Sequence, residues 1–262
     1  MSRTRVLVVW LATLCQGLCA TLALGASTSV GVPGIADIWL AGQPNGTTLN
    51  GGFPGSDVAP TNSPRLGSAG LDLTPGSYLT FTAAGSTDYN GCAGPSPDGG
   101  LPCGAGPIPG AFGISGYNGP VNALIGVFVD ASVPGGTAPA PMDFTTPGSL
   151  AQATISPQLR QVFFIGDGRT GTGTGAVQRF VIPPGATRLF LASSDGLGAN
   201  YNNFGAFSVL VADAAGPTAV GANEAIPTVS QMTLALIALA LAMAGAHHLR
   251  RRAGAMPARR RN

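Results

Sequence analysis

The chain has no lysine, and its two histidines, His247 and His248, both fall near the C-terminus. Residues 27 to 225 therefore hold no imidazole, so nucleophile systems that need a histidine base and zinc sites built on histidine are excluded there. The missing lysine also disposes of a phosphate loop in the run Gly166-Asp167-Gly168-Arg169-Thr170-Gly171-Thr172-Gly173-Thr174-Gly175, which reads as an ordinary hairpin loop. Charge is scarce at 9% of residues, and most arginines sit at the two ends. Between residues 27 and 225 five arginines face eleven acidic residues, a net charge of −6. No basic stripe is available to neutralise phosphates, which excludes nucleic acid, and a divalent cation is the natural counter-charge. Paired carboxylates such as Asp88 and Asp98 occur in any acidic domain and do not make a glycosidase, so the chain is read as a non-enzyme.

The ends are addresses. Arg3 and Arg5 precede an apolar run that closes on Ala23-Leu24-Gly25-Ala26, the pattern of a signal peptide over 1–26. At the other end, 226–262 carries Ile226-Pro227-Thr228-Val229, an apolar run long enough to cross about 30 Å of hydrocarbon, and the clusters Arg250-Arg251-Arg252 and Arg259-Arg260-Arg261. These features predict an exported domain tethered by one C-terminal transmembrane helix. Their order resembles the tripartite C-terminal sorting signals of Gram-negative bacteria, in the IPTL-CTERM variant of the PEP-CTERM type, with Val229 in place of the usual leucine. The resemblance implies a sorting transpeptidase as a partner, and delivery to the periplasmic face of the inner membrane, the cell surface or the extracellular matrix. Export also places Cys92 and Cys103 in an oxidising compartment, which predicts a disulfide across a short Gly/Pro-rich segment.

The exported part is poor in helix formers. Short runs of Val, Ile, Leu and Phe are punctuated by Gly, Pro, Ser, Thr and Asn, and no apolar pattern of period 3.6 is sustained, which predicts an all-β domain. Strands are expected at 77–83, 123–129, 161–165, 178–182, 188–192 and 206–212, with Leu189, Leu191, Phe207 and Val209 facing a shared core. The turn Pro183-Pro184-Gly185-Ala186 reads as joining two of them, and 91–120 reads as loop.

The segment Asp195-Gly196-Leu197-Gly198-Ala199-Asn200-Tyr201-Asn202-Asn203 offers a carboxylate and, seven and eight residues on, paired amides, with glycines that let carbonyls turn inward. Hard oxygen donors without His or Cys suit calcium; the same residues could also simply tighten a turn.

The spacing resembles the calcium-dependent galactose-binding lectins of bacteria, the PA-IL-like family. Asp195, the carbonyl of Ala199, Asn202 and Asn203 are followed by Gly205, Phe207, Ser208 and Val209 as in the family's last strand, and Thr74-Pro75-Gly76 leading to Ala83-Ala84-Gly85 and Asp88-Tyr89 matches the segment that supplies a tyrosine carbonyl. The resemblance implies a β-sandwich of two antiparallel sheets, lectin-like or jelly-roll-like, with 27–73 as its N-terminal part, 74–212 as the lectin core and 213–225 as a linker. It implies calcium held by Tyr89, Asp195, Ala199, Asn202 and Asn203, with a carbohydrate or exopolysaccharide completing the ion's shell and hydrogen-bonding to Asp195, Asn202 and Asn203. The family's sugar-selective loop matches Ser96-Pro97-Asp98-Gly99-Gly100-Leu101-Pro102-Cys103, where Ser96 and Gly99 replace a histidine and a glutamine and Asp98 is kept. Galactose preference does not carry over. Two readings follow, a calcium-dependent lectin and a surface or matrix protein whose calcium only stiffens the fold; either allows an oligomer.

Overall fold

The computed structural model describes residues 25–89, 91–100 and 105–213, all within the unit Met1–Pro217. In chain order the strands are β1 (Ser27–Pro33), β2 (Thr48–Leu49), β3 (Asp57–Val58), β4 (Arg65–Leu66), β5 (Tyr78–Tyr89), β6 (Cys92–Ala93), β7 (Ala105–Ile108) and β8 (Tyr117–Pro120). There follow β9 (Leu124–Val129), β10 (Thr154–Ile155), β11 (Val162–Phe164), β12 (Arg169–Gly171), β13 (Thr174–Val177), β14 (Arg179–Val181), β15 (Arg188–Ser193) and β16 (Phe204–Asp213). Helix among the described residues is confined to one α-turn, Pro147–Leu150, and the 3₁₀ turns Ile38–Leu40 and Asn200–Asn202.

The first sheet runs β1-β16-β5-β14-β10, with β6 added to β5, and the second runs β11-β9-β15-β4. Every pair in them is antiparallel except β10 with β14. The protein is thus mostly β-strand in antiparallel sheets, as its composition predicts. The ribbons β2-β3, β7-β8 and β12-β13 complete it.

Period-two alternation explains the first sheet: along β16, Phe207, Val209 and Val211 are buried while Ser208 and Leu210 are exposed. In the second sheet β9 and β11 are buried throughout, so both of its faces are covered. Adjacent Phe163 and Phe164 show how. Phe163 stacks on Phe128 at 5.3 Å and meets Phe180 of the first sheet at 5.7 Å, whereas Phe164 points the other way to Phe144 at 5.9 Å. A Cβ on Gly126 would lie 2.8 Å from the Phe163 ring, so glycine there makes room for it.

All six expected strands are present, and Leu189, Leu191, Phe207 and Val209 share one buried cluster. One expectation needs correction. Residues 91–120 are not merely loop, because β6, β7 and β8 form there, with Pro107 and Pro120 tolerated in a two-stranded ribbon where few ladder donors are needed. The Pro183–Ala186 turn joins two strands as expected, β14 and β15, and carries the chain from the first sheet to the second. The 166–175 hairpin does form, as β12 and β13. Cys92 is disulfide-bonded, while Cys103 lies outside the described residues. So do residues 1–24 of the signal peptide and the whole C-terminal signal with its expected transmembrane helix; among the described residues no helix is long and apolar enough to cross a membrane.

Phe180 joins the sheets, with Phe81 edge-on at 4.8 Å and Phe163 at 5.7 Å. Phe180→Ala should cost about 3–5 kcal/mol in urea unfolding, because the surrounding rings cannot collapse into the cavity.

Candidate metal and ligand site

The site lies where the chain leaves β15 in the second sheet and enters β16 in the first. This crossing, residues 194–203, is braced at its base. The Ser194 hydroxyl donates to the Pro120 carbonyl at 2.8 Å and accepts from Ala123 N–H at 2.8 Å, and the Thr87 and Ser193 hydroxyls meet at 2.8 Å. The far end is fixed by register: Phe204 pairs with Asp88, which brings Asn203 level with Tyr89.

The N-terminal segment closes the loop from behind. Asn200 Nδ2 donates to the carbonyls of Gly34, Ala36 and Ser193 at 3.2, 3.1 and 3.0 Å, and Asn203 Nδ2 donates to Gly34 at 3.3 Å. Gly198 takes a φ of +66° against the backbone of Leu49 and Gly51, where a side chain would collide. Asp195 is 5% exposed, accepts from Gly196 N–H at 2.6 Å and is hydrogen-bonded by the Asn203 side chain. Burial pushes its carboxyl up to about 6, against the lowering effect of those two bonds. Asn203 Oδ1 is buried with no hydrogen-bond partner.

A cleft of about 420 Å³ opens over this loop, lined by Tyr89, Asp195, Ala199 and Asn202 together with Phe53, Gly106, Pro107, Ile108, Val121, Gly196 and Tyr201. Four of the five expected calcium ligands thus line one cleft, and the fifth, Asn203, is bonded to Asp195. Ser96, Asp98 and Gly99 do not line it. Gly99 N–H turns back to the Ser96 carbonyl at 3.0 Å, and Asp98 accepts from Asp167 N–H at 2.8 Å in a separate cavity with Phe164 and Arg169. Asp98 therefore serves the β12-β13 hairpin and stands apart from the lining of this cleft.

Residue types alone do not flag Phe53, Tyr201, Asp37 and Asp57. Phe53 is 45% exposed and its ring lies against Gly196, where a Cβ would be 3.1 Å from Cζ. Asp37 and Asp57 are fully buried behind the loop. Burial, and then the neighbouring Asp57 carboxyl, pushes the Asp37 carboxyl well above the usual carboxylate range; burial likewise raises that of Asp57. Asp37 had one sequence signal, an acid just before Ile38-Trp39-Leu40, where it caps the 3₁₀ turn.

The donors fit a hard cation. Among the described residues no three Asp, Glu, His or Cys side chains form a metal-holding group, so any ion here relies on one carboxylate plus amide and carbonyl oxygens. Asp195, Asn202, Asn203 and the Tyr89 and Ala199 carbonyls supply about six oxygens, within calcium's range of six to eight. The orphaned Asn203 Oδ1 is the kind of atom such an ion would take up.

Compared with known proteins, the chain matches no family model, and no curated protein matches it.

With Asp195 raised to about 6, ligation requires a deprotonation that costs more as pH falls. Calcium affinity measured by titration should be flat above pH 7 and fall about tenfold per pH unit below 6. The linkage for the calcium-free protein runs oppositely: a raised acid contributes stability fully below its unfolded pKa, and that contribution is lost as pH rises through about 6. In chelator, this group should make the protein less stable at pH 7 than at pH 4, and calcium should reverse the difference.

Proposed function

We propose that this is an exported, calcium-dependent carbohydrate-binding protein with a PA-IL-like lectin domain, a β-sandwich whose two principal sheets share one core. The observation that carries the reading is the buried Asn203 Oδ1, unpartnered while its own Nδ2 is held by Gly34, beside Asp195 at the edge of an open cleft. Calcium would be held by Tyr89, Asp195, Ala199, Asn202 and Asn203. When bound, it would supply two coordination positions for neighbouring sugar hydroxyls and would orient the ligand without reacting with it.

The chain's own residues would do the rest. Asp195 and Asn203 are fixed by backbone bonds before any ligand arrives, which lowers the ordering cost of binding. Exposed Asn202 can hydrogen-bond a ligand hydroxyl. Because Ser96 and Gly99 stand off the cleft, selectivity would fall to Phe53 and Tyr201, whose rings can cover the apolar face of a sugar. That arrangement suits a carbohydrate of the cell surface or an exopolysaccharide, consistent with a signal peptide, a C-terminal anchor or sorting signal, and delivery to the periplasmic side of the inner membrane, the cell surface or the matrix.

The absence of Ser96, Asp98 and Gly99 from the cleft also favours a second reading, a matrix or surface protein with a purely structural ion. A glycan array run with and without chelator separates the two. The lectin reading expects calcium-dependent signals that Asp195→Ala abolishes, with calcium affinity lowered more than about a hundredfold, beyond the usual cost of a supporting residue. Phe53→Ala should weaken sugar binding about tenfold and leave calcium affinity unchanged. Calcium-dependent thermal stabilisation without any glycan signal would leave the structural reading standing.

A further inference from the structure

Behind the calcium loop lies a second set of oxygen donors that the loop itself does not use. Asp37 and Asp57 are fully buried and held by backbone N–H groups: Trp39 donates to Asp37 Oδ1 at 2.8 Å with Gly198 also on that carboxyl, and Asn200 donates to Asp57 Oδ2 at 2.9 Å with Tyr201 also on that one. The remaining oxygens, Asp37 Oδ2 and Asp57 Oδ1, are buried without a partner, although the two carboxyls stand within hydrogen-bonding reach of each other. Asn200 is also fully buried. Its amide cannot rotate without breaking three bonds from Nδ2, to Gly34, Ala36 and Ser193, and its Oδ1 is left without a donor.

Among the described residues no arginine answers this charge. Arg160 and Arg169 donate to the carbonyls of Gly135 and Gly175, Arg179 lies over Tyr78, Arg188 serves Asp130 and Ser132, and Arg65 is exposed. Two carboxylates buried together either take up a proton or, if both stay ionised, need a positive charge between them. A shared proton would join the carboxyls but do nothing for the Asn200 oxygen, which can only accept. A hard cation accepts oxygens of both kinds.

We propose that Asp37, Asp57 and Asn200 hold a second divalent cation, of calcium's oxygen-seeking class, behind the ligand cleft. The site stands on different side chains from the loop site and does not require it. Asn200 belongs to the same 3₁₀ turn as Asn202 and is followed by Asn203, so an ion here braces the loop from its buried side.

The test counts calcium bound to the full chain in detergent, by equilibrium dialysis at neutral pH. Two ions per chain are expected, falling to one in Asp57→Asn, which keeps an acceptor for the Asn200 N–H, and independently to one in Asp195→Ala. A single ion that Asp195→Ala removes and Asp57→Asn leaves in place overturns the proposal and gives the pair a proton. A single ion lost in Asp57→Asn but kept in Asp195→Ala upholds it and removes the loop site instead. No bound ion overturns both. Should Asp57→Asn fail to fold, terbium replaces calcium in the Asp195→Ala chain: emission sensitised by Trp39, whose N–H rests on Asp37, must persist, and its absence overturns the second site.

Discussion

Asp37, Asp57 and Asp195 are withdrawn from water around one loop, with no lysine anywhere in the chain and no arginine among the described residues turned toward them. Burial of this kind is tolerated only when each carboxyl is hydrogen-bonded and its charge is either met by a cation or removed by a proton. The backbone around the crossing from β15 to β16 supplies the first requirement through the N–H groups of Trp39, Gly196 and Asn200. A cation would supply the second. Much of the local architecture follows from this constraint, including the glycines that let residues 34–55 press against the loop and the Ser193, Ser194 and Thr87 hydroxyls that anchor its base.

The same constraint separates what the sequence made legible from what it did not. The strands were readable because alternation and β-branched runs act locally: 123–129 and 206–212 carry their own burial pattern, and the structure shifts each strand end by no more than two residues. The grouping of Asp195, Asn202 and Asn203 was also readable, since they sit on one short segment. Asp37 and Asp57 were not, because an acid becomes buried only when distant strands close around it, and nothing in its neighbours records that. The position of Asp98 was hidden for a complementary reason: it lies in the expected local pattern, but the Ser96–Gly99 turn carries its carboxylate to the Asp167 N–H, outside the cleft lining.

The distinction between lectin and structural protein turns on the cleft wall and not on the ion. Phe53 and Tyr201 come from two separate segments and share one cleft, with Phe53 laid against Gly196 and the Tyr201 ring filling the space that a side chain at Gly55 would need. A purely structural ion would not need an apolar rim beside it. Exposed Phe53 and half-buried Tyr201 next to orienting oxygens are what a ligand with one polar edge and one apolar face calls for.

The most direct measurement is a crystal structure of the calcium-saturated protein with anomalous data collected at a wavelength where calcium scatters. The account predicts an anomalous peak beside Asn203 Oδ1, bounded by Asp195, Asn202 and the carbonyls of Tyr89 and Ala199, with oxygens at about 2.3 to 2.6 Å. A water there, with no anomalous signal and with neighbours at ordinary hydrogen-bond distances of about 2.7 to 3.2 Å, would contradict it.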